Sequence, residues 1–317
     1  MTRPPTRPTP PRAPRVSGRG FTLVELLIVM TVLAILIGLL LPAINGASTR
    51  VRHAAVQSEI NRVATAIVSF KSKYGSEPPS SVNLYETGGA NGANWDARSR
   101  ALIRQLWPQF NFAMNRDING DGDTGDNVTL ESGESLVFFL GGLPDQSGGP
   151  LKFRLLGFAR NPQDPFARGA NTNREASAYD FETSRLVDLD NDGFPEFLDS
   201  YPGQTNPILY FSSYDGNGYR VAEYPGNTVM PQNLKIPFTP YLQGNNLSSP
   251  AYNPNTFQLI SPGLDKEYGP GGPLDSGATT PLPGWSRTSP TSVTISVSDR
   301  SVERDNITNF GNGPLVP

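Results

Sequence analysis

The stretch FTLVELLIVMTVLAILIGLLL, residues 21–41, decides how this chain is organised. It consists almost entirely of large apolar side chains and contains a single charged residue, Glu25. An α-helix rises 1.5 Å per residue, so a helix over this stretch would be roughly 30 Å long, the thickness of the hydrocarbon core of a bilayer. The sequence therefore predicts a transmembrane helix at residues 21–41.

The residues before this helix, 1–20, form a basic leader that is rich in proline. Its basic residues are not balanced by any acid: Arg3, Arg7, Arg12, Arg15 and Arg19. Arginines next to a transmembrane segment favour the cytoplasmic side. We therefore expect the leader in the cytoplasm, the chain to cross the inner membrane once, and the remainder to be exported. The apolar run is too long for the central region of a cleaved secretory signal.

After the apolar run, residues 42–75 predict an amphipathic helix that continues into the rest of the protein. Apolar residues recur there at spacings of four and three, which places them on one helical face: Val56, Ile60, Val63, Ile67 and Phe70. We expect this stripe to pack against the chain's own head domain. Glu59 and Arg62 lie off the stripe, so we expect them on the polar face.

The head, residues 76–317, is predicted to be rich in loops, because the chain contains 32 glycines and 31 prolines. Together with the long helix, this gives an α+β fold with a small antiparallel sheet. A short helix is predicted at Ala97–Trp107, and Ser135–Leu140 is compatible with either a helix or a buried strand. The predicted strands are Lys152–Phe158, Arg185–Val187, Ile208–Ser212, Tyr219–Ala222, Phe257–Ile260 and Val293–Val297.

Composition excludes several classes of function. Beyond the basic leader the chain is more acidic than its formal net charge of −3, which argues against nucleic-acid binding. The chain has no cysteine, which excludes disulfides, thiolate metal sites and cysteine nucleophiles. His53 is the single histidine, predicted to be an exposed helix residue, so a catalytic triad or a histidine-based zinc site lacks its partners. We therefore predict that the protein is not an enzyme.

Glu25 is the unusual residue of the apolar run. A carboxylate inside a membrane costs a few kcal/mol unless it reaches the interface or meets a cation. Because Glu25 lies only four residues into the run, it could extend to the interface. The alternative is a cationic partner at the same depth.

The segment from Gly20 to Val29 resembles the prepilin motif of type IV pilins and type II secretion pseudopilins. The resemblance rests on Gly20, Phe21, Glu25 and the apolar run after a basic leader. It implies a pilin-like fold, cleavage between Gly20 and Phe21 by the prepilin peptidase, and N-methylation of Phe21. It also implies that Glu25 pairs with the terminal amine of a neighbouring subunit, which would relieve its charge by polymerisation.

Two acidic stretches of the head have the spacing of calcium-binding loops. In residues 188–199, the turn glycine is Gly193 and oxygen ligands fall at positions 1, 3, 5, 9 and 12: Asp188, Asp190, Asp192, Glu196 and Asp199. The other begins in the same way but has Val128 at position 12, and its candidate ligands are Asp117, Asn119, Asp121 and Asp123. For both, a solvated acidic turn is the alternative to calcium.

The C-terminal region resembles the calcium-binding tail loop of major pseudopilins. The similarity lies in residues 257–265, which end in a Ser-Pro-Gly-Leu-Asp turn, and in residues 305–310. It implies a calcium ion held by Asp265, Asp305 and the carbonyl group of Leu264. The stretch between the two halves is much longer here than in that family.

These features predict a structural subunit of a type II secretion pseudopilus. Its partners would be copies of itself, other pseudopilins, the prepilin peptidase and the inner-membrane platform of the secretion system. The head would lie in the periplasm and calcium would be its cofactor. The alternatives are a type IV pilin, a minor subunit at the filament tip, and a membrane-anchored calcium-dependent adhesin.

Overall fold

The computed structural model describes residues 20–145, 153–220, 239–274, 285–288, 294–297 and 300–315. Its first element is a single long helix, α1 (Leu23–Tyr74). The contacts within the chain divide it into two compact units, residues 1–50 and 51–317, and α1 has residues in both.

In the first unit, the side chains in the apolar part of α1 are exposed. Its most apolar window has a mean hydropathy of 2.9, and none of that window is buried within the protein. Leu23, Leu33 and Leu39 are 80%, 47% and 73% exposed. The helix is long and apolar enough to cross a membrane, which supports the predicted single-pass anchor.

In the second unit, the predicted apolar stripe of α1 is buried in the core. Val56, Ile60 and Phe70 are at most 1% exposed, and the ring of Phe70 packs edge-on against Phe139. The prediction that Glu59 lies on the polar face of the helix is wrong, because Glu59 is only 1% exposed and pairs with Arg185. Helix periodicity places Glu59 beside the stripe but cannot show that a distant arginine meets it.

Two shorter helices and a set of short strands build the rest of the described head. The helices are α2 (Ala97–Leu106) and α3 (Ser132–Gly141). The strands are β1 (Ser81–Tyr85), β2 (Asn127–Glu131), β3 (Pro144–Asp145), β4 (Arg154–Leu155), β5 (Leu186–Val187), β6 (Glu196–Phe197), β7 (Leu209–Ser212), β8 (Thr239–Gln243), β9 (Phe257–Ser261), β10 (Gly271–Leu274), β11 (Trp285–Thr288), β12 (Thr294–Val297) and β13 (Ile307–Thr308).

The strands form small separate sheets. The largest of those described is antiparallel, in the order β13-β9-β7, with Leu209 opposite Ile260 and Ile307 opposite Ser261. Four two-stranded sheets are also antiparallel: β1–β2, β3–β4, β5–β6 and β11–β12. β8 and β10 pair in parallel. The predicted α+β fold with a small antiparallel sheet is confirmed.

Helix α3 lies at the centre of the core and decides the open question at Ser135–Leu140 in favour of a helix. All of its residues are buried. A helix that is buried on every side shows no amphipathic period, so its type could not be read from the sequence. Phe138 and Phe139 belong to an aromatic cluster that also contains Trp107, Phe158 and Phe166.

The other predicted elements agree with the structure to different degrees. α2, β7, β9 and β12 form close to the predicted positions. Of the strand predicted at Lys152–Phe158, Arg154–Leu155 form a strand and Lys152 lies outside the described residues. Arg185 ends a short 3-10 helix instead of opening a strand. Tyr219 and Arg220 are not in a strand, and the remainder of that prediction lies outside the described residues.

Candidate functional site

The segment that begins α1 places Gly20 and Phe21 just before the helix. Thr22 and Glu25 form the reciprocal arrangement of a capping box. The Thr22 backbone N–H and hydroxyl donate to Oε2 of Glu25 at 2.9 and 2.8 Å, and the Glu25 N–H donates to the Thr22 hydroxyl at 3.2 Å. The Thr-x-x-Glu spacing was visible in the sequence, and it shows a local role for Glu25 that the prepilin resemblance does not include.

The acidic loop at residues 117–126, which we call loop A, is held by its own side chains. Asp117 accepts hydrogen bonds from the backbone N–H groups of Gly120 and Gly122 at 2.5 and 3.1 Å. Asn119 and Asp121 each accept from the N–H two residues further on, at 3.1 and 2.9 Å. This is the backbone pattern that the D-x-N-x-D spacing predicts for a loop whose side-chain oxygens converge.

A carboxylate that the sequence did not indicate lies against loop A. Glu86, which follows β1, is 1% exposed, and together with Asp121, Asp123 and Asp126 it can offer ligand atoms within 4.8 Å of one another. Burial raises the pKa of Glu86. Its two oxygens are already occupied by N–H groups, from Ile118 and Asn119 on Oε1 and from Asp126 on Oε2. No motif in the sequence links Glu86 to a loop more than thirty residues away.

An arginine neutralises part of loop A. The Arg168 side chain donates from Nε to the carbonyl oxygen of Asp117 at 2.7 Å and from Nη2 to that of Ile118. Its Nε also lies 3.7 Å from Oδ1 of Asp117. Loop A therefore has a positive partner within the protein.

The second acidic loop, residues 188–196, which we call loop B, repeats the backbone pattern of loop A. Asp188 accepts from the N–H groups of Asn191 and Gly193 at 2.7 and 3.0 Å. Asp192 accepts from the N–H of Phe194 at 2.8 Å. The positive φ of 94° at Gly193 is the turn conformation for which glycine was predicted there.

Of the predicted ligands of loop B, the structure brings Asp190 and Asp192 together and adds one from elsewhere in the chain. The new residue is Glu134 of α3, and ligand atoms of these three side chains lie within 4.8 Å of one another. Burial, with like charges nearby, raises the pKa of Asp192 to about 7. Glu196 is buried beside this group, and its Oε2 accepts from the Leu189 N–H at 3.3 Å.

Asp199, the predicted ligand at position 12, lies outside this group. Its Oδ2 accepts from the hydroxyl of Ser261 and from Nε2 of Gln204, at 2.5 and 2.9 Å, and its Oδ1 accepts from the Tyr201 N–H at 2.9 Å. Burial raises the pKa of Asp199 to about 6. The carboxylate of Asp199 thus joins the end of loop B to β9.

The predicted C-terminal residues do come together. Oδ2 of Asp305 accepts from the backbone N–H groups of Leu264 and Asp265, at 2.5 and 3.0 Å. Gly263, with φ of 73°, allows this approach, because a Cβ there would lie 2.5 Å from the carbonyl oxygen of Asp305. Asp265 in turn accepts from the Glu267 N–H at 2.8 Å. The oxygens of Asp265 and Asp305 are of the kind that calcium prefers.

His53 differs from the predicted exposed helix residue. It is half-buried, and its Nδ1 lies 2.5 Å from the hydroxyl group of Tyr201. The two rings meet edge to face, with centroids 5.8 Å apart. The contact packs α1 against the loop after Asp199, which is a structural role.

Comparison with known proteins gives one match. A family model described as the prokaryotic N-terminal methylation motif matches residues 17–41. No curated protein and no solved structure matches the chain. The match covers the residues just before α1 and the apolar part of α1, and it does not extend into the head.

The motif indicates processing by the prepilin peptidase and assembly into a pilin-type polymer. It favours a structural subunit over an enzyme. The sequence match, the capped start of α1 and the exposed apolar helix together support a type IV pilin-like or pseudopilin subunit.

Proposed function

We propose that this chain is a structural subunit of a type II secretion pseudopilus. The observation that carries the proposal is Glu25, a charged residue in the otherwise apolar and exposed first part of α1, within the matched methylation motif. The proposed organisation is a leader at 1–20, a transmembrane helix at 21–41, an amphipathic helix at 42–75, and a periplasmic head at 76–317.

The physical reason lies in the charge of Glu25. Thr22 supplies two hydrogen bonds to one carboxylate oxygen, but it supplies no positive charge. A carboxylate without a counter-charge at membrane depth is costly. After cleavage, the N-methylated amine of Phe21 is a cation that begins the same helix, so the amine of one subunit can neutralise Glu25 of the next. Packing the exposed helices together would also remove their apolar side chains from solvent.

The arrangement of Leu264, Asp265 and Asp305 supports a pseudopilin over a type IV pilin. By the sequence resemblance these residues would correspond to the calcium ligands in the tail loop of major pseudopilins, and the N–H groups of Leu264 and Asp265 donate to the Asp305 carboxylate in this chain. Their oxygens fit calcium, and the ion would fix the turn at Gly263 to the segment around Asp305. The partners proposed on this basis are further copies of the chain, other pseudopilins and the inner-membrane secretion platform.

The first test is the mass of the mature N-terminus, isolated from membranes with and without the prepilin peptidase. We expect a chain that begins at N-methylated Phe21 when the peptidase is present, and the intact leader when it is absent. A chain that keeps its leader in both strains, or is cut near Ala47, would contradict the proposal and favour an anchored or secreted protein.

Variants of Glu25 then separate assembly from simple anchoring. We expect Glu25→Gln to be processed normally but to abolish filament assembly, because glutamine retains an oxygen for the Thr22 N–H and loses the charge. Thr22→Val is the matched control, since it removes a capping hydroxyl and leaves the charge. If Glu25→Gln assembles as the wild type does, polymerisation does not depend on this charge and the argument from Glu25 is refuted. If neither the wild type nor the variant assembles, the chain is better described as an anchored adhesin.

A further inference from the structure

The starting observation is a buried carboxylate oxygen without a partner. Glu134 lies in the first turn of α3, and its side chain is fully buried. Its Oε2 accepts a hydrogen bond from the backbone N–H of Glu131 at 3.1 Å, as part of the helix's capping box. Its Oε1 is buried and has no hydrogen-bond partner among the described residues. An unsatisfied buried acceptor is costly, and it calls for an explanation.

The unpartnered oxygen belongs to the carboxylate that faces loop B. The ligand atoms of Glu134, Asp190 and Asp192 lie within 4.8 Å of one another. Glu196 flanks them and also has an unpartnered buried oxygen, its Oε1. The two elements are in close contact, because a Cβ on Gly133 of α3 would lie 3.4 Å from Cγ of Glu196.

Nothing in the described protein neutralises this group. No lysine or arginine among the described ion pairs contacts Glu134, Asp190, Asp192 or Glu196. Burial, and the charges of the neighbouring carboxylates, raise the pKa values of Glu134 and Glu196 well above their ordinary range. Loop A, in contrast, has Arg168 against its backbone and no unpartnered oxygen on Glu86.

We propose that Glu134 is a ligand, supplied by α3, for a divalent cation bound by Asp190 and Asp192 of loop B, with Glu196 at its side. In the D-x-D-x-D-G loop, the carboxylate at position 12 normally closes the coordination sphere from the same loop. Here Asp199 at that position is hydrogen-bonded to Ser261 and Gln204. Glu134 takes its place from a segment more than fifty residues earlier in the chain.

The chemistry of the ligands selects calcium. The donors are carboxylate oxygens without a histidine or cysteine among them, which disfavours zinc. Calcium accepts six to eight oxygens in a flexible geometry, whereas magnesium requires a near-ideal octahedron and keeps several waters. A calcium ion here would join loop B to the first turn of α3, the helix at the centre of the core. The site is therefore a cross-link within the head and does not depend on the proposed filament function.

The test uses the full chain in detergent micelles, stripped with a chelator and titrated with calcium chloride by calorimetry. We expect Glu134→Gln to remove one calcium from the stoichiometry, or to weaken that site by at least tenfold. Glu134→Gln keeps an oxygen for the Glu131 N–H, so the cap survives. Glu131→Gln is the matched control, because it changes a carboxylate at the same end of α3 outside the group of ligands, and it should bind calcium as the wild type does.

Thermal unfolding gives a second readout. At a calcium concentration of a hundred times the dissociation constant, we expect the melting temperature of the wild type to rise by about 5 °C, and that of Glu134→Gln to rise by less. Asp190→Asn, at an exposed position, should remove the same site. The variant that combines Glu134→Gln with Asp190→Asn should lose no more of the calcium-dependent rise in melting temperature than either single variant.

Two results would overturn the proposal. One is a Glu134→Gln variant with the stoichiometry and affinity of the wild type, which would remove Glu134 from the ligands. The other is an Asp190→Asn variant that binds calcium with the stoichiometry and affinity of the wild type, which would show that no cation is held by this group. Because Asp190 is exposed, this second variant keeps the proposal falsifiable even if Glu134→Gln fails to fold.

Discussion

The ion pair between Glu59 and Arg185 allows a quantitative test of how the amphipathic half of α1 is held to the head. Arg185 donates from Nη1 to Oε2 of Glu59 at 2.8 Å and from Nη2 to Oε1 at 2.5 Å. The Glu59 side chain is 1% exposed and that of Arg185 is 20% exposed. The guanidinium group also lies over the ring of Phe197, 4.5 Å from its centroid.

Replacing Glu59 with alanine should be costly because it leaves the guanidinium of Arg185 without its buried partner. Breaking a buried pair from one side typically costs about 3–5 kcal/mol. Arg185 keeps two acceptors, the Leu198 carbonyl oxygen and the exposed carboxylate of Glu182. We therefore expect the lower end, a loss of about 3 kcal/mol in the free energy of unfolding. For a head of this size that corresponds to a decrease of about 6 °C in the melting temperature.

The assay is thermal and urea unfolding of the full chain in detergent, followed by the fluorescence of the buried tryptophans Trp95 and Trp107. Lys73→Ala is the matched control on the same helix. The Lys73–Glu175 pair is more exposed, at 47% and 30%, and should be worth less than about 1 kcal/mol. If Glu59→Ala lowers the free energy of unfolding by no more than Lys73→Ala does, the buried Glu59–Arg185 pair does not contribute the stability expected from its geometry.

A double-mutant cycle tests the same reasoning from the other side. Arg185→Met combined with Glu59→Met removes both charges and leaves no buried ion without a partner. We expect this double variant to be clearly more stable than Glu59→Met alone, which leaves the guanidinium of Arg185 unpaired, because apolar replacement of a whole buried pair is often close to neutral. A double variant that is less stable than both single ones would contradict the role of the unpaired charge.

Two further predictions concern the core and the pH dependence of stability. Gly142→Ala should lower the free energy of unfolding by about 3–5 kcal/mol, because Gly142 has φ of 90° and a Cβ would lie 2.3 Å from the Cα of Gly157. Gly122→Ala is the control for backbone strain alone, because Gly122 has φ of 99° and a Cβ there would meet no atom within 4 Å. In the same unfolding assay it should lower the free energy of unfolding by about 1–3 kcal/mol. Asp199 has a folded pKa of about 6, above its ordinary value of 3.8, so its contribution to stability is present below about pH 4 and is lost as pH rises to about 6. This difference in pKa corresponds to about 3 kcal/mol in the free energy of unfolding. In the presence of a chelator, the free energy of unfolding of Asp199→Asn should therefore fall less than that of the wild type between pH 4 and 7. An equal fall in the two proteins would contradict the raised pKa of Asp199.

Much of the fold was accessible from the sequence because its signals are local. The apolar run and the 4-3-4-3 stripe place α1, and Gly75 ends it with φ of 80° and an N–H that donates to the Lys71 carbonyl oxygen at 2.8 Å. Strands such as β1 and β2 escaped prediction because their residues, SVNLY and NVTLE, mix apolar with polar side chains over only five positions. Their pairing becomes visible only when Val82 and Leu130 meet in the core.

The candidate sites were accessible only where their residues share one loop. The spacing of Asp188, Asp190 and Asp192 predicted a turn that forms around Gly193. Glu86 and Glu134 could not be found in this way, because each approaches its loop from a different secondary-structure element. Glu134 also resembles an ordinary helix-capping residue in sequence, and its second role emerges only from the unpartnered oxygen directed at loop B.

The chain has no cysteine, so disulfides cannot cross-link the head and its buried charges are the groups that could do so. A domain without disulfides can be cross-linked by ionic contacts, and the described head contains several buried ion pairs that need no outside partner, Arg116–Asp164 among them. Glu59–Arg185 joins α1 to the segment before β5, and the fully buried Arg300–Glu303 pair holds the C-terminal segment to β10 through the carbonyl oxygen of Pro273. Loop B differs from these pairs because its acidic side chains face one another without an arginine or lysine among the described residues. A cross-link there must take its positive charge from the medium, so the rigidity of that part of the head would follow the cation concentration around it. The ion pairs within the protein would be insensitive to that concentration.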